Sequence, residues 1–174
     1  EITQGSETDV IYRVPDFVGN LFGTPDRKDR KYGAGGKLLE DPDCFYHYDD
    51  EGNLIFREFK RLQETGVRYD RKRMEKERGI RCLATGTGWL YEWASNGMLK
   101  KVIRPDGRPV EFRYDALGRR TAKRYFGKVT RWVWDGNVPI HEWSYKAVGL
   151  QSDEKGNTLP KEPVEDITTW VFEA

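Results

Sequence analysis

The stretch FRYDALGRRT, Phe112 to Thr121, decides the fold. It places an aromatic, one residue, a second aromatic and Asp115 ahead of two residues, Gly118 and a basic pair. Aromatics two apart share one face of a strand, and Tyr and Phe suit a pleated, half-buried surface. An aspartate there accepts hydrogen bonds from backbone N–H groups two residues on, closing an Asx-type turn. The glycine supplies a positive φ without steric cost. The stretch therefore reads as strand, turn, strand, with Asp115 closing the turn rather than acting as a catalytic acid.

The same frame recurs. YHYDDEGNLIF carries it through Tyr46, Tyr48, Asp49, Gly52, Asn53 and Leu54. YRVPDFVGNLF carries it with one extra residue, through Tyr12, Asp16, Gly19, Asn20 and Leu21. YEWASNGMLKK is a degenerate copy that keeps Tyr91, Trp93, Gly97 and Leu99 but has Ala94 in place of the aspartate. The frame glycines lie 33, 45 and 21 residues apart (19 to 52, 52 to 97, 97 to 118). The last interval reads as one intact unit and the earlier ones as units with insertions. Repeats on this scale mark stacked supersecondary units that share one continuous core.

Further turns fall between the copies. Asp106-Gly107 lies between LKKVI and VEFRY, and Asp135-Gly136 between TRWVW and VPIHEW. Asp-Gly between alternating apolar residues is a strong hairpin signal. A third turn is expected at Gly127-Lys128. From Trp89 to Tyr145 the chain reads as a continuous antiparallel meander, so the expected fold is all-β, an antiparallel meander of β-hairpins. Two segments break the pattern. Residues 57–81 carry ten basic and five acidic residues and match neither the helical nor the strand period; a charged hairpin, a short helix and a loop all fit. Residues 146–166 are rich in Gly, Pro and charge and read as a long loop before a last strand, ITTWVF.

Composition narrows the function. The chain has 174 residues, with 30 basic against 29 acidic and a net charge of +1, so global electrostatics give no case for nucleic acid. No apolar run reaches membrane-span length, and no signal peptide opens the chain. It begins at Glu1, has only Met74 and Met98, and stops in a strand-like pattern, so both ends are expected to be cut. Cys44 and Cys82 form neither CxxC nor a zinc pattern; free thiols and a disulfide both remain open.

No catalytic constellation emerges. His47 and His141 sit in strand-like aromatic runs, and His141-Glu142 point to opposite faces of a strand. Asp41, Asp43, Asp49 and Asp50 lack the order of a calcium loop, so neither metal nor cofactor is expected. The basic cluster Arg68, Arg71, Lys72 and Arg73 is interleaved with acids and reads as a solvated face. Trp89, Tyr91 and Trp93 share a strand face, as do Trp132 and Trp134. Such rows serve either as sheet packing or as a sugar-binding platform.

The repeated frame resembles the YD repeat of the Rhs (rearrangement hotspot) proteins, which also occurs in insecticidal Tc toxin subunits and in the teneurin barrel. YHYDDEGNL, FRYDALGRRTAK and TRWVWDGNVPIHEW carry the resemblance, which covers Trp89 to Glu142 most fully and extends over Tyr12 to Phe56. It implies strands of one long sheet that spirals into a hollow shell around a C-terminal toxin domain, exported through a machine such as type VI. The shell-closing signature and its self-cleavage aspartates have no match, so the resemblance implies a late strip of shell and transfers no catalytic residue.

The expected organisation is YD-repeat hairpins over 1–60, a charged insertion over 61–86, a meander over 87–145, a loop over 146–166 and a final strand over 167–174. The expected function is that of a non-catalytic shell segment of a secreted or surface-located bacterial protein. Its partners would be the rest of its own shell and the enclosed toxin domain, with self-association through sheet edges. The repeat-turn residues are Asp16, Gly19, Asp49, Gly52, Gly97, Asp115, Gly118, Asp135 and Gly136. The alternative is a Trp-rich carbohydrate-binding or adhesion module.

Overall fold

The computed structural model describes residues 12–147, 151–152, 158–159 and 166–171. Most of the 146–166 segment and the first eleven residues, both assigned from sequence above, lie outside them. The strands in chain order are β1 (Val14–Pro15), β2 (Leu21–Phe22), β3 (Lys31–Tyr32), β4 (Leu38–Glu40), β5 (Cys44–Tyr48), β6 (Leu54–Phe59), β7 (Gly88–Trp93), β8 (Leu99–Ile103), β9 (Pro109–Tyr114), β10 (Arg120–Tyr125), β11 (Lys128–Asp135), β12 (Val138–Lys146), β13 (Gln151–Ser152), β14 (Thr158–Leu159) and β15 (Thr168–Thr169). One helix, α1 (Arg71–Arg78), lies between β6 and β7.

Eleven strands form one sheet in the order β15-β12-β11-β10-β9-β8-β7-β6-β5-β4-β3, and every pairing is antiparallel. The fold is therefore an all-β meander. From β3 to β12 each strand pairs with its neighbour in sequence, so successive turns alternate between two rims. Residues 33–37, 49–53, 94–98, 115–119 and 136–137 fall on one rim. Residues 104–108, 126–127 and the β6–β7 connection fall on the other. β1 and β2 pair separately, as do β13 and β14.

The 33-residue interval between Gly19 and Gly52 holds a further repeat rather than an insertion. In YGAGGKLLE, Tyr32 precedes Gly33, which takes the aspartate position, and Gly36 is the frame glycine at φ 72°. Gly33 N–H bonds Lys37 O at 2.8 Å and Gly36 N–H bonds Gly33 O at 3.2 Å. The Asp49 turn has the same pattern.

The Asp106-Gly107 turn lies where the sequence places it, between β8 and β9, whereas the β10–β11 turn is displaced by one residue. Arg104 N–H bonds Arg108 O and Gly107 N–H bonds Arg104 O, which is the three-residue loop with a glycine bulge. The β10–β11 turn centres on Phe126 and Gly127, not on Gly127 and Lys128. Tyr125 pairs with Lys128, and both central residues have positive φ, 49° and 74°, as a type I′ turn requires.

The one true insertion joins β6 to β7. Its helix starts where the Asp70 side chain accepts Arg73 N–H at 2.8 Å. It stops at Gly79, which has φ 64° and whose N–H bonds Glu75 O at 3.1 Å, the 5→1 bond of an αL ending. Met74 and Ile80 are buried and pack with Phe56 and Leu90 of the sheet, flanked by Tyr69, Cys82 and Ile103. Full burial of Phe56 or Leu90 contributes roughly 1.5–3 kcal/mol each. This small core lies on one face of the sheet, here called the covered face.

Gly88 makes the re-entry into the sheet possible. A Cβ there would sit 2.0 Å from Arg57 O, so only glycine lets β7 approach β6 this closely.

Candidate functional site

The recurring turn is built from one hydrogen-bond frame. The residue at the aspartate position donates its N–H to the carbonyl four residues on, and its own carbonyl accepts from the glycine three residues on. This holds at Asp16, Gly33, Asp49, Ala94, Arg104 and Asp115. The frame glycines Gly19, Gly52, Gly97 and Gly118 have φ of 90°, 90°, 76° and 78°, which places them in the bulge position.

The aspartate adds a second layer. Asp16 Oδ1 accepts from Val18 N–H at 3.0 Å and from Asn20 N–H at 2.9 Å, while Oδ2 takes the Asn20 amide. Asp49 holds both the backbone and the side chain of Asn53, at 2.7 and 3.0 Å. Asp115 takes Leu117 N–H and Arg119 N–H, both at 2.9 Å, and Arg119 Nε at 2.7 Å. The Asn or Arg after the glycine is thus the partner that holds the carboxylate. Desolvation pushes these three carboxyls up, but the hydrogen bonds outweigh it and keep each below the ordinary aspartate range.

In two of the three turns that lack the aspartate, those of Ala94 and Arg104, an Asx residue two positions later takes over; the Gly33 turn has Gly35 there and keeps the backbone bonds alone. Asn96 Oδ1 accepts Met98 N–H at 3.2 Å, and Asp106 Oδ1 accepts Arg108 N–H at 3.1 Å. Asp135 and Gly136 form a different turn: Asp135 ends β11 opposite Val138, and Gly136 opens a two-residue loop at φ 54°. Arg119 Nη1 donates to Gly136 O, linking these neighbouring turns on one rim.

A second recurring contact joins four of the hairpins to the one before. The aromatic just ahead of the turn donates to the carbonyl of the residue two past the preceding frame glycine. Tyr32 Oη donates to Leu21 O, and Tyr48 Oη to Leu38 O at 2.9 Å. Trp93 Nε1 donates to Leu54 O at 2.8 Å, and Trp134 Nε1 to Arg120 O at 2.9 Å. Tyr and Trp share this position because each joins a large apolar ring to one polar donor.

Residues opposite each other across paired strands share a face. By register, Tyr46, Tyr48, Trp89, Tyr91, Trp93, Phe112, Tyr114, Trp132 and Trp134 all lie on one face, opposite the covered one. The sequence placed the two tryptophan rows on strands; the register brings them onto this common aromatic face.

Several of these rings are already occupied. The Arg57 guanidinium lies 5.8 Å from the Tyr46 centroid. Arg104 lies against Trp89 and Tyr125, at 5.6 and 5.2 Å. Arg120 lies against Phe112 and Trp132, at 5.9 and 4.6 Å. Trp132 Nε1 is bonded to Glu142 at 3.0 Å. The arginines were not singled out from the sequence; the signal for Arg57 and Arg120 is their place on strands between the aromatic ones, whereas Arg104 opens the turn after β8.

Residues 95–130, which span the Asn96 and Asp115 turns, match the family described as RHS Repeat. The chain is 33% identical over 104 residues to "Probable deoxyribonuclease RhsB" of Dickeya dadantii (strain 3937), covering 59% of this chain and 6% of that protein. It is 29% identical over 140 residues to "Probable deoxyribonuclease RhsA" of the same organism, covering 79% and 8%. The chain belongs to the Rhs/YD-repeat family. It is also similar to "Double-stranded DNA deaminase toxin A" of Burkholderia cenocepacia (strain H111), 27% identical over 172 residues, covering 91% of this chain and 10% of that protein. The Rhs chain spans a tenth or less of the length of these relatives.

One buried charge in this Rhs chain escaped sequence reading. Glu58 is fully buried. Its carboxylate accepts N–H groups from Leu83, Ala84 and Gly86 at 2.8, 2.8 and 2.9 Å, and His47 Nε2 lies 3.0 Å away. Burial pushes its pKa up. The His47 contact and the three backbone donors outweigh that and lower it to about 2. Glu58 thereby pins the end of the insertion to the sheet. The available signal was parity: in LIFREF, Glu58 shares a face with buried Phe56.

The other titratable candidates have separate places in the Rhs chain. His141 Nδ1 contacts Thr169 Oγ1 at 3.1 Å. Cys44 and Cys82 are free thiols, both pushed up by burial. The Arg68–Arg73 cluster enters α1, where Arg73 pairs with Glu77. Among the described residues, no group of three or more His, Cys, Asp and Glu is placed to hold a metal ion, and no helix is long and apolar enough to cross a membrane.

Proposed function

We propose that the chain is a non-catalytic wall segment of an Rhs β-shell that encloses and delivers a C-terminal toxin domain, as part of a larger secreted or surface-located bacterial protein. The observation that carries this reading is the hairpin-to-hairpin bond repeated at Tyr32, Tyr48, Trp93 and Trp134. Such a unit extends a sheet by repetition and commits its aromatic donors to structure. The names of the relatives, two probable deoxyribonucleases and a DNA deaminase toxin, support a toxin context. The wall's partners would be the remainder of its shell and the enclosed domain, with self-association through open sheet edges when the segment is isolated. The carbohydrate-binding alternative loses support, because guanidinium groups lie against Trp89 and Trp132, two of the rings a sugar would stack on.

The test is protease protection in the full-length parent protein. Replacing Trp93 and Trp134 together with Ala should expose the C-terminal domain to cleavage while the unaltered protein shields it. Equal cleavage of that domain in the unaltered protein and in its isolated form would refute enclosure.

A further inference from the structure

The two faces of the sheet differ in charge as well as in cover. By register the aromatic face carries Arg57, Arg120, Lys123, Lys128 and Lys146. Arg104 joins them beside Trp89 and Tyr125. On the paired strands of that face the one carboxylate is Glu142, opposite Trp132; Asp41, just past β4, adds a second where it accepts from Tyr46 Oη at 2.6 Å. The covered face is balanced: Glu40, Glu58, Glu92, Glu111 and Asp135 offset Lys31, Lys101, Arg113, Arg124 and Arg131. The covered face also carries the chain's own insertion over Phe56 and Leu90.

We propose that the aromatic face meets an acidic polypeptide segment, and that in the shell this segment belongs to the enclosed domain. The second half rests on the wall reading above. Charge complementarity argues for an anionic partner. The arginine geometry argues for which kind. Guanidinium groups lie against Tyr46, Trp89, Phe112, Tyr125 and Trp132, so these rings offer little open surface for stacking bases or sugars. A guanidinium held by a ring still presents N–H donors at its edge, in a fork that matches a carboxylate. Among the described residues, Arg57 and Arg120 have no carboxylate within ion-pair distance, whereas Arg104 has Asp106 at 3.4 Å. Lys123 and Lys128 are exposed and likewise have no acidic partner.

The experiment uses the 174-residue chain and poly-L-glutamate, followed by tryptophan fluorescence at low salt. Saturable binding should weaken as salt rises. K123Q/K128Q should weaken it roughly three- to tenfold, the scale of two exposed charge contacts. R113Q/R124Q on the covered face should leave it unchanged. Circular dichroism confirms that each variant is folded, and K123Q/K128Q is chosen because both lysines are exposed and lie on the aromatic face, opposite Phe112 and Tyr125. Absence of binding, or a loss that follows R113Q/R124Q instead, would overturn the proposal. So would tighter binding of an oligo-dT probe than of poly-L-glutamate, which would make the partner a nucleic acid. These outcomes bear on the face alone. A failed protease-protection test with poly-L-glutamate binding intact would remove the wall reading and leave the acidic-partner surface standing.

Discussion

Trp93 Nε1 donates to Leu54 O across 2.8 Å, and so ties the β7–β8 hairpin to the β5–β6 hairpin before it. The two residues are 39 apart in sequence, separated by the insertion. The bond nevertheless repeats the relation of Tyr48 to Leu38 and of Trp134 to Arg120. The repeat is therefore defined by this reach as well as by its turn.

Removing that donor while keeping the ring isolates its contribution. Trp93→Phe leaves Leu54 O without its partner and should cost about 1–2 kcal/mol. Tyr48→Phe should cost about 1 kcal/mol, since the ring is retained. Urea denaturation measures both. Unchanged midpoints in both variants would show that the bonds add nothing.

Glu58 makes stability depend on acid in a defined window. Its folded pKa is about 2, below its ordinary value of 4.5. The unfolded chain therefore takes up the proton first as pH falls. The stabilisation is fully present above about pH 4.5 and is lost as pH drops toward 2, on the order of 3 kcal/mol in all. Glu58→Gln should flatten this part of the stability–pH curve and should expose residues 83–86 to hydrogen exchange at pH 7. A variant with the parent's full slope between pH 4.5 and 2 would assign the acid sensitivity elsewhere.

Two glycines separate strain from collision. Gly97→Ala enters open space at φ 76°, so it should cost about 1 kcal/mol from backbone strain alone. Gly88→Ala drives a Cβ to 2.0 Å from Arg57 O and should cost more than about 3 kcal/mol or prevent folding. Thermal denaturation of both variants checks the ranking, and equal losses would contradict the close approach of β6 and β7.

The frame aspartates predict a compensated turn. Asp49→Ala removes the acceptor for Asn53 N–H and its side-chain amide, with no Asx residue at Glu51 to replace it. Introducing Glu51→Asn alongside copies the arrangement of Asn96 in the Ala94 turn and should recover part of the lost stability. Denaturation midpoints for the single and double variants decide it. No recovery would mean that the Asn96 contact is incidental.

The meander was legible because its signals are local: paired aromatics, an aspartate and a glycine within eight residues. Where chemistry and geometry part, the sequence fell short. Gly33 occupies the aspartate position with no side chain to advertise it, although the backbone bonds are those of Asp49. Phe126 takes a positive φ that its side chain disfavours, so the expected turn fell one residue late. Residues 60–87 show no clear period because the segment is pinned by a cap, a small core and one buried carboxylate rather than by an amphipathic stripe. The Trp rows were visible as strand faces, but which arginine lies against which ring depends on register across three hairpins.

The most direct measurement is indole hydrogen exchange in the chain labelled with 15N-tryptophan. If the sheet is stitched hairpin to hairpin, the Nε1–H groups of Trp93 and Trp134 exchange far more slowly than a free indole and lose protection when urea melts the sheet. Exchange of both at the free-indole rate in the folded chain would contradict the stitched wall.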